Sequence, residues 1–136
     1  MSKKMTFKVV ANRTDAHGST VACKDALLIA DTDLQGRVDA FNPAELLMSA
    51  LAACIIKGIE RVTPILKFDL QQIEVTITGV RQDAPPKMES IYYTIKVTTT
   101  ESDHRLDLLH DNVKKFGTVF NTIAPGTDLT GILIRA

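Results

Sequence analysis

Tryptophan is absent from this chain, and aromatic residues make up only 5% of it. A core has to be built mainly from aliphatic side chains, so packing depends on many small contacts and few large rings. Net charge is lacking too: 16 basic and 16 acidic residues cancel. The Lys and Arg residues are scattered and form no stripe, which argues against a nucleic-acid partner. A neutral chain has little self-repulsion to keep copies apart, so association is permitted. The longest apolar run, Leu46 to Ile56 with Ser49 inside it, is too short to cross a bilayer, and no membrane partner is expected. The start, MSKKMTFKVV, lacks the apolar core, roughly 7 to 15 residues, of a secretion signal. Only two cysteines occur, Cys23 and Cys54, and the three histidines, His17, His104 and His110, are dispersed. With no CxxC or HExxH pattern, neither a disulfide framework nor a metal site nor any cofactor is expected, and the thiols should stay reduced in the cytoplasm.

What remains is an ordinary globular composition, 45% hydrophobic and 24% charged over 136 residues. That is the size of one domain, 1–136, able to bury a core without staples. Met5, Phe7 and Val9 alternate with polar residues as a first strand, and NRTDAHGS reads as a turn. Val21 and Cys23 share a face of a second strand, where Cys23 is core filling. ALLIAD suggests a third, and DTDLQGRVDAF a loop.

Asn42-Pro43-Ala44-Glu45 opens a helix: Asn as N-cap, Pro at the first position, and Glu three residues after the cap, where it closes a capping box. The pattern runs to Val62 or Thr63 and stops before Pro64. It is apolar nearly all round for three turns, which implies a central helix, covered in part by a second subunit. QQIEVTITGV and ESIYYTIKVTTT alternate cleanly, and RQDAPPKM between them is too short for a crossover, so they form an antiparallel pair. Leu106, Leu109, Val113, Phe116 and Phe120 mark a second amphipathic helix, capped by Ser102 or Asp103 and interrupted at Gly117. DLTGILIRA is a closing strand. The order β-β-β-α-β-β-α-β defines an α+β domain.

Cys54 lies inside NPAELLMSALAACIIKG, and its residue type alone favours packing. Reactivity would need a cation to stabilise the thiolate in that apolar setting. Lys57, one turn on, is one source, although a lysine there also reaches solvent readily. Leu47, Leu51, Tyr92 and Phe120 would supply an apolar wall beside such a thiol.

NPAELLMSALAAC, followed by a long hairpin and then KKFGTVFNTIAPGTDLTGILI, resembles the OsmC/Ohr family of osmotically inducible and organic hydroperoxide resistance proteins, over essentially the whole chain. The resemblance implies antiparallel sheets packed around a central cysteine-bearing helix in an intertwined homodimer whose two chains build each active site. It implies thiol-dependent reduction of a small organic hydroperoxide, in oxidative stress defence. The peroxide-attacking cysteine matches Cys54. The second cysteine of the family, which normally forms a disulfide with it, falls at Gly117, where a glycine cannot capture a sulfenic acid. Three readings follow: an external thiol reductant resets Cys54, Cys23 has taken over, or peroxidase activity is lost. Loss would leave a small-ligand-binding protein or a cysteine redox sensor.

The family's tuning arginine falls at Arg13, with Arg37 the alternative. Its glutamate directly follows the Asn-Pro pair in the hydroperoxide-reductase branch, where this chain has Ala44; Glu45 comes one residue later. Glu45 and Cys54 are separated by roughly 13 to 14 Å along a straight helix and about 180° around it. Glu45 therefore reaches Cys54 only through a helix break or the partner chain, and the capping box accounts for it without chemistry.

Overall fold

The structure, a computed structural model, describes residues 3–136. The chain forms two compact units, one up to Leu46 and one from Leu47 onward.

The first unit is an antiparallel meander of β1 (Val10–Asp15), β2 (Gly18–Cys23) and β3 (Ala26–Ala30). β1 lies later than the alternation of Met5, Phe7 and Val9 suggests, and it takes in residues that read as a turn. The ladder gives the reason. Val10 pairs with Ala22, and Cys23 already pairs with Ala26 across the next turn. Residues 3–9 therefore have no partner strand among the described residues. Met5, Phe7 and Val9 are left 71%, 77% and 64% exposed. Asn12 and Arg13, by contrast, sit opposite Thr20 and Ser19 and are drawn into the sheet. Lys24 takes the tight β2–β3 turn with φ of 55°.

The loop after β3 is organised by Asp31, a buried carboxylate that accepts the backbone N–H groups of Asp33 and Arg37. Arg37 in turn donates to both carboxylate oxygens of Asp39 and to the His17 carbonyl.

Helix α1 (Pro43–Leu66) starts in the first unit and runs into the second. Its opening is the expected capping box: Glu45 Oε1 accepts the Asn42 N–H and Asn42 Oδ1 accepts the Glu45 N–H, both at 2.9 Å. The helix does not stop before Pro64 but continues to Leu66. Proline removes one N–H, but the turn that follows is closed by a Schellman arrangement, with Lys67 N–H donating to Pro64 and Phe68 N–H to Thr63. Lys67 takes the left-handed position usually given to glycine, with φ of 50°. Arg105 then donates to the carbonyls of Leu66 and Lys67, satisfying the helix end from another element.

The second unit continues with β4 (Gln72–Gln82), β5 (Lys87–Thr98), α2 (Asp103–Phe116), α3 (Thr118–Ile123) and β6 (Asp128–Arg135). β4 and β5 form the expected antiparallel hairpin, whereas β6 joins β5 in parallel. The pairing is possible because α2 and α3 supply the long crossover that parallel neighbours require. Ser102 is the cap of α2, accepting the Arg105 N–H. Gly117 separates α2 from α3, the break the sequence suggests.

The inner sheet face, with Ile91, Tyr93, Ile95 and Val97, packs with Leu51, Ile55, Ile59 and Val62 of α1 and Leu106, Leu109 and Val113 of α2. Alternation in β5 and steps of three and four in both helices thus converge on one core.

Candidate active site around Cys54

Cys54 sits midway along α1, half-buried, one residue before the core position Ile55. Both cysteines are free thiols, and Cys23 lies half-buried at the end of β2. What faces the Cys54 sulfur is Gly117. A Cβ built on Gly117 would lie 3.2 Å from Cys54 Sγ, 3.0 Å from Phe120 Cβ and 3.1 Å from the Val113 carbonyl oxygen. Gly117 has φ of −74° and ψ of 120°, a conformation open to any residue, so its backbone does not require glycine. The requirement is one of space: any side chain here would press on the sulfur.

Within the chain itself, α1 is covered along one face. Leu51, Ile55, Ile59 and Val62 are buried, but Leu47 and Ile56 are 39% and 37% exposed, and Ala50 and Ala53 lie open between them. Of the expected apolar wall, Leu47 is open, while Phe120, 8% exposed, belongs to the core and borders the Gly117 position. Leu51 is fully buried in the core. Tyr92 is on the wrong side: alternation along β5 places Tyr93 in the core and turns Tyr92, 45% exposed, to the opposite face of the sheet.

Beyond Cys54 the same helix face carries Lys57 and Gly58 and then Arg61, steps of three, four and seven residues. Lys57 is exposed. The Arg61 guanidinium stands 5.4 Å from the centroid of the Phe116 ring, and Lys115 Nζ is 5.3 Å from the same ring. Phe116, the residue before Gly117, is 48% exposed. Sequence reasoning missed this cluster, because Arg61 and Phe116 come from different helices; the usable signal was KKF directly before the glycine opposite Cys54.

Arg13 lies on β1, exposed, at the irregularity between Arg13 and Asp15, and makes no ion pair among the described residues. Arg37 is committed to Asp39, and this pairing holds the Asp39 carboxyl below its ordinary range. The Glu45 carboxylate is engaged in the capping box. Among the described residues no group of His, Cys, Asp or Glu side chains is arranged to hold a metal ion. No helix there is long and apolar enough to cross a membrane.

Behind Phe120 lies a buried polar pair. Tyr93 Oη and His110 Nε2 are 2.6 Å apart, and the Tyr93 ring meets Phe120 edge-on at 6.0 Å. Burial pushes the Tyr93 phenol up to about 12, and burial, with help from Lys114, pushes the His110 imidazole below its ordinary value. A depressed histidine means that the folded chain takes up its proton at lower pH than the unfolded chain. Its stabilisation is complete above the unfolded value, near 6.5, and is lost as pH falls through the folded one. The urea midpoint should therefore drop between pH 7 and pH 5, and His110→Gln should flatten that drop. His17 works in the opposite direction: its bond to Asp33 raises it, so its contribution is present below 6.5 and fades as pH rises.

An α+β chain with a half-buried cysteine midway along its longest helix, facing the break between two later helices, is thus the class that fold and site define. The chain belongs to the OsmC-like protein family, which matches residues 35–130. The OsmC-like protein from Mycoplasma pneumoniae is similar over 98% of this chain and 99% of its own, with a TM-score of 0.85 and 19% identity. The organic hydroperoxide resistance protein OsmC from Legionella pneumophila covers 99% of this chain and 100% of its own, with a TM-score of 0.72 and 20% identity. The organic hydroperoxide resistance protein OhrB of Bacillus subtilis matches with a TM-score of 0.66 and 20% identity, over 95% of this chain and 98% of its own. No curated protein matches.

Proposed function

We propose that this chain reduces organic hydroperoxides, using Cys54 as its single peroxide-attacking residue and an external thiol to reset it. The observation that carries this reading is Gly117, which places no side chain against the Cys54 sulfur at the point where a second thiol would stand. The Cys54 thiolate attacks the O–O bond, the sulfur takes one oxygen, and an alcohol leaves. An external thiol then condenses with the sulfenic acid, forming a mixed disulfide and releasing water. A second thiol frees Cys54 and departs as a disulfide. In this scheme the family resemblance assigns stabilisation of the thiolate to Arg13, and Glu45 orients the helix start. Leu47 and Phe120 favour an apolar peroxide over hydrogen peroxide. Hydroperoxide resistance proteins among the structural relatives support the chemistry.

The active form in this reading is a cytoplasmic homodimer. The exposed face of α1, the exposed Leu27, Leu28 and Ile29 of β3, and the unpaired stretch with Met5, Phe7 and Val9 make more apolar surface than a lone chain usually leaves open. Cumene hydroperoxide consumption with a dithiol tests the scheme: Cys54→Ser should fall to the uncatalysed background. Equal slow rates for the two proteins would remove the peroxidase reading. Sedimentation of the same preparations should give a dimer, and a compact monomer would overturn the shared assembly.

A further inference from the structure

We infer that His110 is a positioning residue for Cys54: through its bond to Tyr93 it sets the Phe120 wall of the Gly117 gap, and protonating it opens that gap to bulkier reagents. As control of peroxide reduction this rests on the reading of Cys54 as the peroxide-attacking residue. As control of access to the sulfur it does not, so the two can fail separately.

The chain of contacts is short. Phe120 Cβ and Cys54 Sγ flank one point, 3.0 and 3.2 Å from a Cβ built on Gly117. The Phe120 ring meets the Tyr93 ring edge-on at 6.0 Å, and the Tyr93 ring meets the His110 ring edge-on at 5.6 Å. Tyr93 Oη lies 2.6 Å from His110 Nε2. Helix α3 is six residues long, has no side-chain cap and buries Phe120 and Ile123, so its position depends on what those two side chains meet. A shift of Tyr93 passes to Phe120 and to the space before the sulfur.

The bond has a direction. Tyr93 is 1% exposed and its hydroxyl has no other hydrogen-bond partner among the described residues, so the phenol O–H donates to Nε2 and the imidazole proton sits on Nδ1. Protonation puts a second N–H on the ring, aimed at the phenol. The phenol oxygen accepts it only by turning its own O–H away, into a site closed to solvent, where that donor is left unpaired. The phenol keeps its proton throughout, since burial pushes it up to about 12.

The charges acting on His110 come from its own helix. Burial and Lys114 disfavour the imidazolium, while Asp111 and Asp107 favour it. From β5 it faces Tyr93, and the other ionisable side chains of that strand are exposed. α3 has no ionisable side chain, β6 carries Asp128 and Arg135 only at its two ends, and those of α1 are exposed. Nothing from another element supplies a counter-ion that would hold the protonated ring in place.

The test labels Cys54 and needs no peroxide. In a Cys23→Ser background, labelling rates with methyl methanethiosulfonate and benzyl methanethiosulfonate are compared at pH 7 and pH 5. The thiolate fraction changes equally for both reagents, so their ratio isolates access to the sulfur. The benzyl-to-methyl ratio should rise at least about fivefold at pH 5, the lower end of ordinary coupling between two sites. His110→Gln, whose amide oxygen accepts the phenol O–H at either pH, should hold the ratio at its neutral value. Tyr93→Phe, which keeps the ring and removes the O–H, should do the same. A charge acting through space would speed both reagents equally, and the flat ratio would overturn the proposal. So would a rise that survives both substitutions, or loss of the folded circular dichroism signal at pH 5, because the gap has to open in a folded chain. The expected ratios in a protein whose peroxide consumption ignores Cys54→Ser would sink the peroxidase reading alone.

Discussion

Gly117→Cys is expected to convert the protein into one whose oxidised form carries a disulfide between Cys54 and the introduced thiol. An S–S bond of about 2.05 Å places each Cβ about 3.0 Å from the opposite sulfur. The Cβ position at Gly117 lies 3.2 Å from Cys54 Sγ, so little movement is needed. The new carbon is also close to Phe120 Cβ and the Val113 carbonyl, so the reduced variant should lose about 1 to 2 kcal/mol to crowding. Closing a loop of roughly 60 residues should contribute about 4 kcal/mol in the oxidised form. The cross-link outweighs the crowding, so oxidation should raise the melting temperature of this variant while leaving the parent's nearly unchanged.

Kinetics should change with it. A tethered thiol at van der Waals distance acts at an effective concentration far above any millimolar reductant, so capture of the sulfenic acid should accelerate by roughly a hundredfold or more. Mass spectrometry after one equivalent of peroxide should show both thiols gone and the chain lighter by two hydrogens. The same treatment of the parent should give a sulfenic acid or a thiol adduct on Cys54. If Gly117→Cys instead keeps Cys54 and the introduced thiol free after peroxide, alongside Cys23, Cys54 either does not react or does not face position 117.

Sequence pattern reached far into this molecule where the cause is local. The capping box at Asn42 and Glu45, the alternation of β4 and β5, and the break at Gly117 each depend on residues a few positions apart. It fell short where the partner is remote. Residues 5–9 carry a sound strand alternation, but the β2–β3 turn ends the ladder before it reaches them. Pro64 marks an ordinary helix end, yet Arg105, far along the chain, satisfies the extra carbonyls. The parallel pairing of β6 has no signature in β6 itself; it follows from the crossover that α2 and α3 provide.

The site divides along the same line. Cys54 and Gly117 were legible because the family resemblance aligns them, and the structure brings them face to face within one unit. The Arg61–Phe116 contact and the Tyr93–His110 bond were not, since each joins residues from separate elements. Tyr92 and Tyr93 show how narrow the margin is: one step along β5 exchanges a core ring for an outward one.

Gly131→Ala should be the most destabilising single-methyl change in the chain, because the position sits beneath the Tyr93 ring. Tyr93 and Gly131 are register partners in the parallel β5–β6 pair. A Cβ at 131 would overlap two ring carbons and the carbonyl oxygen of Tyr93, none of which belongs to a flexible side-chain end. Tyr93 is only 1% exposed, so its ring has no empty space to turn into. Moving it would cost overpacking energy and strain the 2.6 Å bond to His110, whose imidazole is then left partly buried without its partner. Overpacking and the lost bond together suggest about 3 kcal/mol, a large share of a domain's total stability. The effect should also reach Cys54, since Tyr93 supports Phe120 edge-on and Phe120 packs beside the Gly117 position. Urea unfolding gives the first number, and the rate of Cys54 labelling by a disulfide reagent gives the second. Tyr93→Leu in the same chain supplies the control: it makes room for the methyl, so the double variant should be clearly more stable than the sum of the two single losses predicts. Simple additivity would mean that the ring and the new methyl do not meet.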